Sequence, residues 1–194
     1  MRRARGKVRR YCAANRLNRL GTLTYAPPFC TDLAVLKADV AVFFRGLREA
    51  LGGSPLPYLW VPELHADGRR FHVHFAAGRF IKRSLIEAAW GHGFVHIKLL
   101  GDLPVGSGSW GEARLAARYL SKYVGKAFDA GDTFGRHRYE VGQGFQPRGQ
   151  LVRGRSAAEV IASASAVMGG SPSQVWTSDE VEGWKAPPSL WVAW

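Results

Sequence analysis

Cysteine is nearly absent from this 194-residue chain: Cys12 and Cys30 are the only two, and they form neither a Cys-x-x-Cys pair nor a metal-ligand spacing. That scarcity argues against a disulfide framework and sets a reducing cytoplasm as the default compartment. Long apolar runs are missing too. No stretch reaches the roughly 18 residues of a membrane span, so no membrane segment is expected. The basic N-terminus is not followed by the apolar core of a secretory signal. Acidic residues are absent from the first 20 positions, which hold eight Arg or Lys.

What remains is 46% hydrophobic, enough to bury a core, and carries a net charge of +12 with a sequence pI of about 10.3. An excess of one sign is the footprint of a polyanion binder; a merely solubilising surface would intersperse both signs. The excess is uneven. Residues 156–194 set Glu159, Asp179, Glu180 and Glu182 against Lys185 alone, so the basic part runs from the N-terminus to about residue 155. Nucleic acid is the expected partner.

Three regions are expected: a basic arm over 1–19, a catalytic core over 20–128, and a C-terminal extension over 129–194 packing on the core. Leu20 to Tyr25 alternates and is rich in β formers, and Ala26-Pro27-Pro28 ends it. Thr31-Asp32 offers an N-cap to a helix whose Leu33, Leu36, Val40, Phe43, Phe44 and Leu47 recur at helical spacing up to Gly52-Gly53. Tyr58 to Leu64 and Phe71 to Ala77 read as paired strands around an Asp67-Gly68 turn. A short helix over 82–90, a strand over 94–100 and a Gly/Ser loop over 101–109 follow. A helix over about 112–128 comes next, then a possible strand at 138–141 and a helix from Ser156 to Met168 with a Ser156/Glu159 capping box. Trp176, Trp184, Trp191 and Trp194 are expected to help close the core. The order implies an α+β fold, one central antiparallel sheet of about five strands with packed helices.

A two-residue turn at Asp67-Gly68 would set Glu63 opposite His72, Val61 opposite His74 and His65 opposite Arg70. Alternation then gathers Glu63, His65, His72 and His74 on one face and Leu64, Phe71, Val73 and Phe75 on the other. Alone, His72-Val73-His74 is no more than two strand histidines. With Glu63 directly opposed, it becomes a three-ligand candidate site with open positions, suited to Mg²⁺, Mn²⁺ or a heavier divalent ion that could polarise phosphate. His65 could be a fourth ligand, a partner to a ligand, or a solvated turn residue; the last two fit better. His92 and His96 read as structural, and His137 as a phosphate contact.

Tyr119 and Tyr123, four apart, fall on one side of the 112–128 helix, beside an apolar stripe that includes Leu120 and Val124. Lys122 and Lys126 each lie three residues beyond a tyrosine. Alone, this pattern fits core-edge tyrosines with snorkelling lysines. Beside a metal-held phosphate, it fits a phenol nucleophile whose phenolate a nearby ammonium favours.

Taken together, these segments resemble a rolling-circle replication initiator of the HUH endonuclease superfamily, in particular the two-tyrosine initiators of phages and actinobacterial-type plasmids. Leu20-Gly-Thr-Leu-Thr-Tyr-Ala-Pro27 is similar to the family's first strand motif. Phe71-His-Val-His-Phe75 is similar to its His-hydrophobic-His motif, and Tyr119-Leu-Ser-Lys-Tyr123-Val-Gly-Lys126 to its nucleophile helix. The resemblance implies a site-specific single-stranded endonuclease and strand transferase. In it a Mg or Mn ion on His72, His74 and a third polar ligand orients the scissile phosphate of single-stranded or hairpin origin DNA. A tyrosine attacks, giving a covalent 5′-phosphotyrosine and a 3′-OH primer, and Lys122 and Lys126 position phosphate. Glu63 as the third ligand comes from the register argument. The sequence has no GxxxxGK[ST] loop, so a host helicase and polymerase are the expected partners. Three alternatives share these residues: a transposase or relaxase, a non-catalytic single-stranded DNA-binding module, and a metal hydrolase that uses water.

Overall fold

The computed structural model describes residues 2–99, 115, 117–120 and 139–194. By contact they divide into two compact units, Met1–Pro147 and Arg148–Trp194. The first unit is built from α1 (Arg2–Ala14), β1 (Arg19–Tyr25), α2 (Leu33–Ala50), β2 (Tyr58–Leu64), β3 (Phe71–Ala77), α3 (Arg83–Trp90), β4 (Gly93–Leu99) and β5 (Glu140–Val141). Residues 117–120 are helical as well. The expected helix over 112–128 otherwise falls outside the described residues, as do the 101–109 loop and His137.

The five strands form one antiparallel sheet in the order β4-β1-β3-β2-β5. The α+β architecture with about five antiparallel strands is thus present, consistent with an HUH endonuclease-like fold. The sheet's apolar face is covered by α2 and α3. Asp32 starts α2, its side chain accepting from the Ala34 N–H, and Leu36, Val40, Phe43, Phe44 and Leu47 are buried on one stripe. The Phe43 ring meets Phe75 of β3 at 5.6 Å and Trp90 of α3 at 6.0 Å, while Phe44 stacks on Tyr58 of β2 at 3.6 Å. Gly91 in the left-handed region ends α3. In α1, Val8, Tyr11 and Cys12 are buried, and the Tyr11 hydroxyl donates to the Gly142 carbonyl at 3.0 Å.

The β2–β3 hairpin keeps the expected register, Glu63 against His72 and Val61 against His74. Its connection differs from the expected two-residue turn. The strands stop at Leu64 and restart at Phe71, leaving a six-residue loop over 65–70. The His65 N–H still donates to the Arg70 carbonyl at 2.8 Å. Inside that pair, however, the Gly68 N–H turns back to the His65 carbonyl at 2.9 Å, and Asp67 Oδ1 accepts from the Arg69 and Arg70 N–H groups at 3.0 and 3.1 Å. Those two amides, Arg69 first, hold the Asp67 carboxyl well below the usual carboxylate range. The Asp side chain competes with the ladder for these donors, so the loop widens symmetrically and the register survives.

In the second unit, α4 (Ala157–Met168) starts at Ser156, whose Oγ accepts from the Glu159 N–H at 3.2 Å. The Glu159 carboxylate reaches back to the Arg155 N–H at 2.7 Å, one residue earlier than a capping box would place it. β6 (Gln174–Thr177) and β7 (Leu190–Ala193) form a two-stranded antiparallel ribbon. The tryptophans do not close a core there: Trp184, Trp191 and Trp194 are 41, 46 and 38% exposed. A two-stranded ribbon has too little second layer to bury both of its faces.

Candidate metal centre

Direct pairing across the ladders assigns the residues of the second sheet face row by row. Phe94, Thr24, His72 and Glu63 form one row, and His96, Thr22, His74 and Val61 the next. A third row, with Leu20, Ala76 and Leu59, is buried and apolar. The face is therefore polar toward the hairpin end and apolar toward the other.

In the polar rows three ligand atoms converge. His72 Nε2 lies 3.0 Å from His74 Nε2 and 2.9 Å from Glu63 Oε2, and His74 Nε2 lies 2.6 Å from the same oxygen. They are the three groups among the described residues that could jointly hold a metal ion. Protons cannot satisfy this triangle. Each Nε2 carries at most one hydrogen, which points along one edge, so two hydrogens leave the third edge unsatisfied. One cation at the centre satisfies all three. The edges also match the ~3.0 Å separation of neighbouring ligands in octahedral coordination at about 2.1 Å. Two imidazoles and a carboxylate on one side of an ion leave the opposite positions open, as in a facial triad. The side chains of His72, His74 and Glu63 are 14, 8 and 18% exposed, shielded but reachable.

Thr22 of β1 supports this arrangement. Its Oγ1 lies 3.1 Å from His74 Nδ1. With Nδ1–H donating to that oxygen, the His74 lone pair sits on Nε2 and points into the triangle. The sequence reading did not weigh Thr22; the signal was the alternation of Leu20, Thr22 and Thr24 within the first strand. His72 Nδ1 is buried and has no partner among the described residues. His65 stands outside the triangle, its ring 4.5 Å from that of His72. Desolvation first, then the neighbouring His72 and Arg70, push its pKa down. His92 packs against Tyr25 and Trp90, 3.7 Å from the Asp39 carboxylate. His96 is not remote, as its sequence position suggested: it is exposed on the same face as His74, opposite Thr22.

Tyr119 is the described tyrosine beside this cluster. Its ring centroid lies 6.3 Å from that of His74, with the planes at 84°, and the side chain is partly buried. Tyr123, Lys122 and Lys126 lie outside the described residues. Four other tyrosines are poorly suited to forming a phenolate. Desolvation raises the phenols of Tyr11, Tyr25, Tyr58 and Tyr139, and Tyr25 is raised further by its hydrogen bond to Asp39 at 2.8 Å.

Residues 18–128 match the family model of the ORF2-type Replication-associated proteins. The match takes in β1 to β4, all three candidate ligands and both helix tyrosines. No curated protein and no solved structure matches the chain.

Proposed function

The chain belongs to the ORF2-type Replication-associated protein family, and from that membership we propose that it initiates rolling-circle replication by nicking one strand of its origin DNA with a tyrosine nucleophile. In this reading Glu63, His72 and His74 hold a divalent ion, Mg²⁺ or Mn²⁺, and Thr22 fixes the orientation of His74. When bound, the ion supplies Lewis-acid polarisation of a phosphate. The phenol oxygen of Tyr119 attacks the scissile phosphorus and loses its proton. The P–O3′ bond breaks and the departing 3′ oxygen takes up a proton. The protein then holds the downstream strand as a 5′-phosphotyrosine, and the free 3′-OH is available to a host polymerase, with a host helicase opening the duplex. Tyr123 would serve a second transfer, and Lys122 and Lys126 would pair with phosphate oxygens. Burial of the other phenols favours Tyr119 and Tyr123 for the task.

The observation that carries the reading is the juxtaposition of the Tyr119 ring with His74 at the edge of the Glu63–His72–His74 triangle. The test is a single strand drawn from the cognate origin and labelled at its 3′ end, since that fragment stays on the protein. Incubated with Mn²⁺ and run on a denaturing protein gel, the label should migrate with the protein. Chelation should abolish the adduct, and so should Tyr119→Phe combined with Tyr123→Phe. An adduct that persists in the double variant would reject the tyrosine. Cleavage without any adduct would assign the cut to water.

A further inference from the structure

The sheet face opposite the triangle carries a cleft of about 310 Å³ at the far end of the strands. Its floor is apolar, made by Phe75, Ile81, Ile86 and Ile97, and Phe80, 66% exposed, stands at its lip. Three arginines line it: Arg19, Arg79 and Arg83. Arg83 is committed, with Nε donating to Glu87 at 2.7 Å and a terminal nitrogen to the Val95 carbonyl at 3.3 Å. Arg19 is not: its Nε is buried and meets no acceptor among the described residues. Arg79 enters none of the ion pairs among those residues.

A buried guanidinium N–H without an acceptor costs the desolvation of a charged donor. On the wall of an apolar cleft, a ligand that brings its own anion relieves that cost. We propose that this cleft docks a short acidic segment of a partner protein, one bulky apolar side chain seated on Phe75, Ile81, Ile86 and Ile97 and adjacent carboxylates paired with Arg19 and Arg79. The charge is complementary and the floor selects the apolar group. A nucleobase fits the floor poorly, because its ring nitrogens and carbonyls would be buried against carbon. Arg19 pairs with Ala77 in the ladder, five residues along β1 from Thr24 and along β3 from His72. At 3.4 Å per residue that is ~17 Å away, on the other face. The docked segment and DNA at the triangle can therefore be held together, and this inference stands whether or not the tyrosine nicks.

The test uses the full chain and a fluorescein-labelled Asp-Asp-Asp-Leu-Phe peptide, read by anisotropy. Asp-Asp-Asp-Gly-Gly, of equal side-chain charge, should bind at least about tenfold more weakly, and Lys-Lys-Lys-Leu-Phe should not bind. Arg79→Glu and Phe80→Ser, both at exposed positions, should each weaken the first peptide by about tenfold, while chelation should change nothing. Equal affinity for the two acidic peptides would reduce the effect to net charge and overturn the proposal. So would unchanged binding in both variants. If oligo-dT displaces the peptide, and the Arg79→Glu variant loses affinity for oligo-dT in parallel, the cleft is a nucleic-acid site and the proposal fails.

Discussion

At the scale of single residues, the site depends on which atoms point inward, and Thr22 decides that for His74. A histidine free to flip offers its ligand nitrogen part of the time; one whose Nδ1–H is taken by a threonine hydroxyl offers Nε2 throughout. Thr22→Val keeps shape and volume and removes the oxygen. Mn²⁺ affinity, followed by loss of the free-ion electron paramagnetic resonance signal, should fall by about tenfold or more in that variant, in the range usual for partners of metal ligands. An unchanged affinity would show that the hydroxyl does not orient the ring. Glu63 was legible in the sequence because a ligand opposite His72 follows from hairpin register alone. Thr22 was not, because its partner belongs to β3, and nothing local in the sequence says that β1 lies beside β3. Tyr119 was legible only through its four-residue spacing from Tyr123 and the lysine that follows each of them.

At the scale of elements, the hairpin was readable almost to the residue. Tyr58–Leu64 and Phe71–Ala77 both form as the alternation indicates, and the register comes from where the two strands stop, not from how the chain turns between them. The turn itself was misread because Asp67 captures two backbone donors that a tight turn would leave to the ladder. Strand order was the harder problem. β1 takes its place in the sheet between β3 and β4, and one device that lets it do so is Gly21. Gly21 pairs directly with Phe75, and the Phe75 ring occupies the place where a Cβ on Gly21 would stand. The ring thereby covers a strand glycine that would otherwise leave a gap under α2. Gly21→Ala should therefore displace Phe75 from its contacts with Phe43 and cost roughly 1–3 kcal/mol, the usual range for overpacking. Urea unfolding at neutral pH is the check, and a midpoint equal to that of the parent chain would show that the ring relaxes freely.

At the scale of the whole molecule, charge and fold divide along the same line. In the second unit Arg148, Arg153, Arg155 and Lys185 balance Glu159, Asp179, Glu180 and Glu182, so the whole of the +12 belongs to residues 1–147. That unit also holds the buried cluster under α2 and α3, the five-stranded sheet and the candidate metal ligands. Among the described residues no helix is long and apolar enough to cross a membrane. The sequence reading placed the change of character near residue 155 from composition; β5, two residues long, carries the first unit past the point where composition could mark its end. If the polyanion is gripped by this unit alone, the counterions released on binding come from its phosphate contacts. A chain ending at Pro147 should then bind single-stranded DNA with the same slope of log affinity against log salt concentration as the full chain, because the removed segment adds no net charge. The same truncated chain should keep its Mn²⁺ affinity, since Glu63, His72, His74 and Thr22 all remain. A markedly shallower salt slope would mean that Arg148, Arg153 and Arg155 contact phosphate directly, and that the neutral balance of the second unit conceals a basic strip at its start.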